Sequence, residues 1–433
     1  MDTRIRAEWD TLRSVAMNKF GVEMFFRILQ SDKSLNESTL SQIGAIQEYE
    51  YLEQVLEQEF KVNIIRVRDT ILKAAQQDPT IYDELLRATQ ENTDASRNQR
   101  ENNDGLQSFQ KGKDAHNPSH LFDNLFMRYQ IEMVNKKGPK PPQKDKIEKQ
   151  SLSEIYFLRD QQAVTDRGFF LSRVSKPWHR KESVITKLLC DVLGIEVIHE
   201  VTEPGLFEGG DFIPLKDFAL VGVGDRTNIA GIKQLLEYGV NFDEVAVVHQ
   251  PNHPLIPTDE VGQMMNMRLD NYFNIASKGV AVGLKSLLKT AIVDIYNRVS
   301  PGEYEREEEN IDLLSYMAGW GFDVVGITTL EQLSNASNFL TVKDGTILTV
   351  EIERNVKDIL YQLQIKAKAE PEKYGKLLAE AEKDYEYLKN ESEFFPHKRE
   401  LYQHGIDAYP LVFRNLTGVY GAAHSMTAVL ERR

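Results

Sequence analysis

Four short stretches set polar side chains beside strand-like apolar runs: FLRD at 157–160, FEGGD at 207–211, MRLDNYF at 267–273 and GAAHSMT at 421–427. Three of them carry acids, namely Asp160, Glu208 with Asp211, and Asp270. A carboxylate next to buried apolar surface is costly unless a cation or a donor faces it. For any one acid alone, a structural ion pair is the simpler reading. The two glycines between Glu208 and Asp211 allow a sharp turn or a close approach of the backbone to a ligand. VGVGDRTNIAGIKQLL then sets Arg226 at a strand-to-helix turn, with Thr227 or Asn228 as the helix cap. Several carboxylates with an arginine suit a ligand that bears both a cation and a carboxylate. In the last stretch, small residues lead into His424 and Ser425. A serine hydroxyl is a nucleophile only beside a base, and in an extended segment His424 points to the face opposite Ser425. The histidines and the lone Cys190 show no metal-ligand spacing. No phosphate-binding or dinucleotide fingerprint occurs, so no metal and no cofactor are expected.

The elements that must position these residues read as an α/β chain. IYFLRD, GFFLSRV, IEVIHEV, FALVGVG, EVAVVHQ, GVAVGL, FDVVGIT and GTILTVE are strand-like, and ITKLLCDVL, IAGIKQLLEYG and LLSYMAGWG are helix-like. Upstream, TLRSVAM is a short strand, the run from Ser34 to Phe60 is helical, and KVNIIRVRDTI is a strand entering a helix. Residues 69–150 are polar and lysine-rich, with helices near 68–90 and 118–135 joined by solvated linker. Residues 352–396 form a charged helical excursion that Pro371 breaks in two, open to a role as an interaction arm.

The chain of 433 residues is 41% hydrophobic, enough for a sizeable core. Its net charge of -14 argues against nucleic acid, which needs a basic surface. A single cysteine excludes a disulfide framework within the chain, and Cys190 reads as a core thiol of ITKLLCDVL. No apolar run is long enough to span a bilayer, and the start has no apolar signal region. A soluble, cytoplasmic protein is expected, with homo-oligomerisation left open.

In order and spacing, FLRD, EGGD, MRLDNYF and AAHSMT resemble the F-T-R-D, E-G-G-D, H-L-D-x-x-F and H-C-M-T stretches of the arginine deiminase family, in the guanidine-modifying (pentein) superfamily. The resemblance runs from the first strand to the C-terminus and is weak in about 90–150 and 355–396. It implies one domain over 1–433: a five-bladed propeller of ββαβ units around a central pocket, with insertions at 69–150 and 352–396. It further implies that Asp160 and Asp270 grip a substrate guanidinium, as planar bidentate pairing allows. Glu208 corresponds to the catalytic glutamate, and Arg226 holds the substrate carboxylate. Arg180 or His179 falls near a second arginine of that site, and Asp211 belongs to the same EGGD stretch.

The departures from the family pattern bear on activity. The cysteine nucleophile falls on Ser425 and the histidine base on Arg268, which cannot give up its proton. The asparagine before the FTRD aspartate falls on Glu154, and an arginine near the nucleophile falls on Tyr420. His249 or His253 would have to stand in as base. Arg268 is also able to pair with Asp160, Asp270 or Glu208 and fill the pocket itself. The expectation is a guanidinium-binding protein for an arginine-like ligand, with hydrolysis lost or impaired. The alternative is an active hydrolase that converts arginine or a related guanidine to citrulline and ammonia through Ser425.

Overall fold

The computed structural model describes residues 3–21, 41–94, 117–126, 155–180, 182–255, 268–416 and 421–433. Its strands pair into five separate sheets. One unit recurs in all of them: an antiparallel pair, then a helical crossover, then a third strand parallel to the second. In the first sheet, Ala428–Arg432 pairs antiparallel with Leu12–Met17, and helix Gln42–Gln58 leads to the parallel Asn63–Arg66. Both ends of the chain thus lie in one sheet. The second sheet joins Gln162–Val164, Phe169–Leu171 and, beyond helix Glu182–Leu193, Val197–Glu200. The third joins Phe212–Pro214, Phe218–Val223 and Glu244–His249, and the hairpin Ile292–Ser300 with Glu303–Asp312 extends it. The fourth holds Phe273–Ser277, Val280–Gly283 and Asp323–Gly326. The fifth holds Leu340–Lys343, Thr346–Val350 and Asp407–Leu411. The expected α/β character is present. Parallel neighbours need a crossover of a dozen or more residues, which the helix-like segments supply.

Periodicity explains the helices. Glu182–Leu193 buries Ile185, Leu188, Leu189 and Cys190, and burial drives the Cys190 thiol up to about 12, as suits an inert core residue. The expected break at Pro371 falls between helices Val356–Ala369 and Pro371–Glu391, with proline in the first turn, where its missing N–H costs nothing. These helices are docked rather than free, because Leu363, Leu377, Ala381 and Leu388 are buried. Helices Val67–Gln77, Pro79–Asp94 and Pro118–Phe126 fall in the polar region as expected. The rest of the expected linker, including the lysine-rich run, lies outside the described residues. Among the described residues no helix is long and apolar enough to cross a membrane.

One strand expectation needs correction. IYFLRD is a turn followed by a 3-10 helix, Leu158–Gln161, and the strand begins only at Gln162. Residues 155–159 are all buried, so their apolar run reflects burial on every side rather than a sheet face. The Ile292–Asp312 hairpin was absent from the sequence reading, since its acidic second strand, EYEREEENID, has a solvated face.

Candidate active-site pocket

A short helical turn stands just before the first strand of each unit, and the polar residues sit on those turns. Leu158–Gln161 carries Asp160, and Gly209–Asp211 carries Asp211 with Glu208 as its cap. Leu269–Asn271 carries Asp270 and is capped by Arg268, and Ala423–Met426 carries His424 and Ser425. The turn of the fifth unit places Asn338 two residues ahead of Leu340–Lys343. The leading turns of three units, with the residue that caps the second of them, therefore supply these four acids.

Arg268 is the hub and is only 4% exposed. Its Nη1 lies 2.7 Å from Asp160 Oδ2 and 3.3 Å from Glu208 Oε2, and its Nε lies 3.5 Å from Asp270 Oδ1. Gly210 makes room for it: a Cβ there would come within 2.8 Å of Arg268 Cδ and Nε. Gly209 is required by its neighbours too, since a Cβ would meet the Gln162 carbonyl oxygen at 1.9 Å. Burial works against the charge on Arg268, but Asp160, Asp270 and Glu208 outweigh it, so the guanidinium stays protonated. Three carboxylates facing one guanidinium cannot all ionise cheaply. Burial, aided by Glu208 and Asp270, pushes the Asp160 carboxyl well above the usual range despite Arg268.

Glu208 is held on its other side. Its Oε1 accepts from the Ser175 N–H at 3.1 Å and the Ser175 hydroxyl at 2.9 Å, and Arg226 Nη1 stands 3.6 Å away. Arg226 also donates to Ser175 Oγ at 3.3 Å. Arg180 is not drawn into the acids; it donates to the Val174 and Ser175 carbonyls on the pocket's edge. His179 pairs with Glu182 at 2.7 Å. Asp211 ties three segments together. It accepts from Thr227 Oγ1 at 2.6 Å and from the Leu269 N–H at 3.0 Å, and Thr227 Oγ1 accepts from the Glu208 N–H at 3.1 Å. Burial raises the Asp211 carboxyl to about 7. Asn228, rather than Thr227, caps its helix, accepting from the Gly231 N–H at 2.8 Å.

Ser425 is fully buried. Ser425 Oγ lies 3.5 Å from Asp270 Oδ2, and His424 Nδ1 lies 2.9 Å from the same oxygen. The expectation that these two neighbours face opposite ways fails because 423–426 is a helical turn, not an extended segment. Burial and the nearby Arg159 keep His424 neutral. An ionised Asp270 can only accept, so the ring proton sits on Nδ1. Burial tends to raise the Asp270 carboxyl, but His424 and Arg268 overcome this and hold it below the usual range. Asn338 locks the loop, donating to Asp270 Oδ2 at 3.1 Å and accepting from the Ala422 N–H at 2.7 Å and the Ser425 N–H at 3.2 Å. Sequence reading missed Asn338; its place just before a strand-like run, like the four stretches singled out, was the available signal. Neither alternative histidine bonds to Ser425: His249 pairs with Asp294 at 2.9 Å, and His253 accepts from the Leu255 N–H at 3.2 Å. Glu154 and Tyr420 lie outside the described residues.

The chain is 25% identical to the arginine deiminase of Halobacterium salinarum over 440 aligned residues, covering 82% of this chain and 87% of that protein. It is 25% identical to the arginine deiminase of Limosilactobacillus reuteri over 240, covering 48% and 54%. Among solved structures, the product-bound N-terminal domain of a cyanobacterial arginine dihydrolase aligns over 98% of both chains, with a TM-score of 0.50 and 11% identity, a likeness of fold. The family model described as arginine deiminase matches residues 35–432, so the chain belongs to the arginine deiminase family.

Proposed function

We propose that this protein keeps the guanidinium clamp of its family but holds its own Arg268 in it, and that it does not hydrolyse arginine at an appreciable rate. The observation that carries the reading is the position of Arg268, 2.7 Å from Asp160 and within reach of Glu208 and Asp270. A side-chain guanidinium there competes with any guanidine entering from solution. Hydrolysis also lacks its reagents. Among the described residues the acceptor that Ser425 Oγ faces is Asp270, and a carboxylate held below its usual pKa is a poor proton acceptor for an alcohol; His424 turns its Nδ1 proton to that same oxygen. In this reading the residues in catalytic positions are Ser425, Glu208 and Arg268. Asp160 and Asp270 grip the guanidinium, Arg226 with Arg180 faces a ligand carboxylate, and Asp211 braces the turn. The five units are taken as five blades of one domain, with 69–150 and 352–396 as insertions. An arginine-like ligand binds only by displacing Arg268.

The test is incubation of the purified chain with L-arginine, following citrulline, alongside the double variant Ser425→Cys with Arg268→His. Silence in the native chain and citrulline from the variant support the reading. Citrulline from the native chain at rates typical of enzymes overturns it in favour of a serine-dependent hydrolase. A folded but inert variant shows that the pocket has diverged beyond these two positions.

A further inference from the structure

Behind the Ser425 turn lies a second polar chamber that the clamp does not use. Glu8, Arg159, Gln162 and Arg432 line a hollow of about 10 Å³, walled on its other sides by apolar residues such as Ile5 and Val429. All six residues are at least nine-tenths buried. The chamber joins the N-terminal segment, the FLRD turn and the C-terminal strand. Part of its polarity is satisfied within the fold. Arg432 Nη2 donates to Glu8 Oε1 at 2.6 Å, and Arg432 Nη1 to the Thr341 and Asp10 carbonyls at 2.8 Å. Arg159 Nε donates to the His424 carbonyl at 3.2 Å.

Three polar atoms of the lining residues stay unpartnered among the described residues: Arg159 Nη2, Arg432 Nε and Gln162 Oε1. Two are donors and one is an acceptor. Orphaned buried groups of this kind cost stability, doubly so when charged. The hollow is about the size that admits one water molecule, and buried waters typically make about three hydrogen bonds. A single water accepting from the two arginines and donating to Gln162 matches the set in number and polarity. Glu8, in the same wall, disfavours an anion. We infer that this chamber is a binding site for one structural water, which joins Arg159 to Arg432 and so braces the backbone carrying His424.

The test is a crystal structure of the full chain at about 1.5 Å, from native crystals and from crystals soaked in bromide. The inference expects one spherical peak within about 3.2 Å of the three named atoms and no anomalous signal there after the soak. An anomalous bromide peak would make the chamber a halide site and overturn it. So would an unfilled hollow, or arginines re-paired so that no orphan remains. Two variants give a solution readout. Gln162→Glu keeps the acceptor and is expected to keep the peak. Gln162→Leu removes it and is expected to lose the peak and lower Tm by about 2–5 °C. A peak that persists unchanged in Gln162→Leu would show that the amide is not its ligand.

Discussion

Two buried clusters of opposite charges answer the same physical problem differently. Lys398 lies 3.1 Å from Glu331 Oε2, where helix Thr329–Leu333 meets the end of the 356–391 helical pair. Glu331 Oε2 also accepts from the Thr328 N–H at 2.8 Å, and Oε1 accepts from the Phe395 N–H at 3.0 Å. Each oxygen has a donor. In the pocket, Asp160 Oδ1, Asp270 Oδ1 and Arg268 Nε have no hydrogen-bond partner among the described residues, although they are buried. Native folds rarely leave such groups unpaired without a reason. The first cluster is complete and clamps two parts of the fold. The second sets Arg268 against three carboxylates, with Arg226 at the outer side of Glu208, and still leaves two carboxylate oxygens without a donor, as the proposed reading of an imperfectly filled clamp requires.

The largest effect is expected at the complete cluster. Lys398→Met leaves Glu331 buried and uncompensated, and should cost about 3–5 kcal/mol in urea unfolding. A loss below about 1 kcal/mol would deny that this pair clamps the helical arm.

Next comes the pocket. Arg268→Ala removes the guanidinium that stands 2.7 Å from Asp160, and is expected to cost about 3 kcal/mol. Unlike the first loss, this one should be recoverable by ligand. L-arginine at a hundred times its Kd would restore about 2.7 kcal/mol, while leaving the native chain's Tm unmoved. Equal stabilisation of both proteins would mean that Arg268 does not occupy the ligand's place.

Gly210→Ala sharpens the same point. Its new Cβ would press on Arg268, and the expected loss is about 1–3 kcal/mol. In an Arg268→Ala background most of that loss should vanish, as a double-mutant cycle measures.

A smaller effect is expected from Asp211. Its carboxyl titrates near 3.8 when exposed and near 7 in the fold, so between those values the folded state binds more protons. Its contribution to stability therefore falls as pH rises from about 4 to 7. Asp211→Asn cannot titrate, so its deficit against the native chain should shrink between pH 5 and pH 8. A deficit that grows over that range would reverse the assigned direction. The smallest change is expected at the exposed pair Arg414–Asp358, 3.4 Å apart, where Asp358→Asn should move unfolding by less than about 1 kcal/mol.

The sequence by itself carried the alternation of strands and helices, the break at Pro371, the buried Cys190 and the four polar stretches with their acids. These are local matters, set by periodicity, by proline's fixed geometry and by the rarity of charge beside apolar runs. It also raised the choice for Arg268 between standing beside a bound substrate and filling the pocket itself against the acids. It did not settle that choice, because the partners are far apart in the chain and meet only when five sheets bring their leading turns together. The same cause hid Asn338, Ser175 and Glu8, polar residues with no local mark of their own. It also misdirected His424. Alternation in an extended chain separates neighbours, whereas one helical turn set His424 and Ser425 on the same oxygen of Asp270. Only the tertiary structure could decide these points, since each rests on contacts between residues distant in sequence or on a backbone turn that such contacts impose.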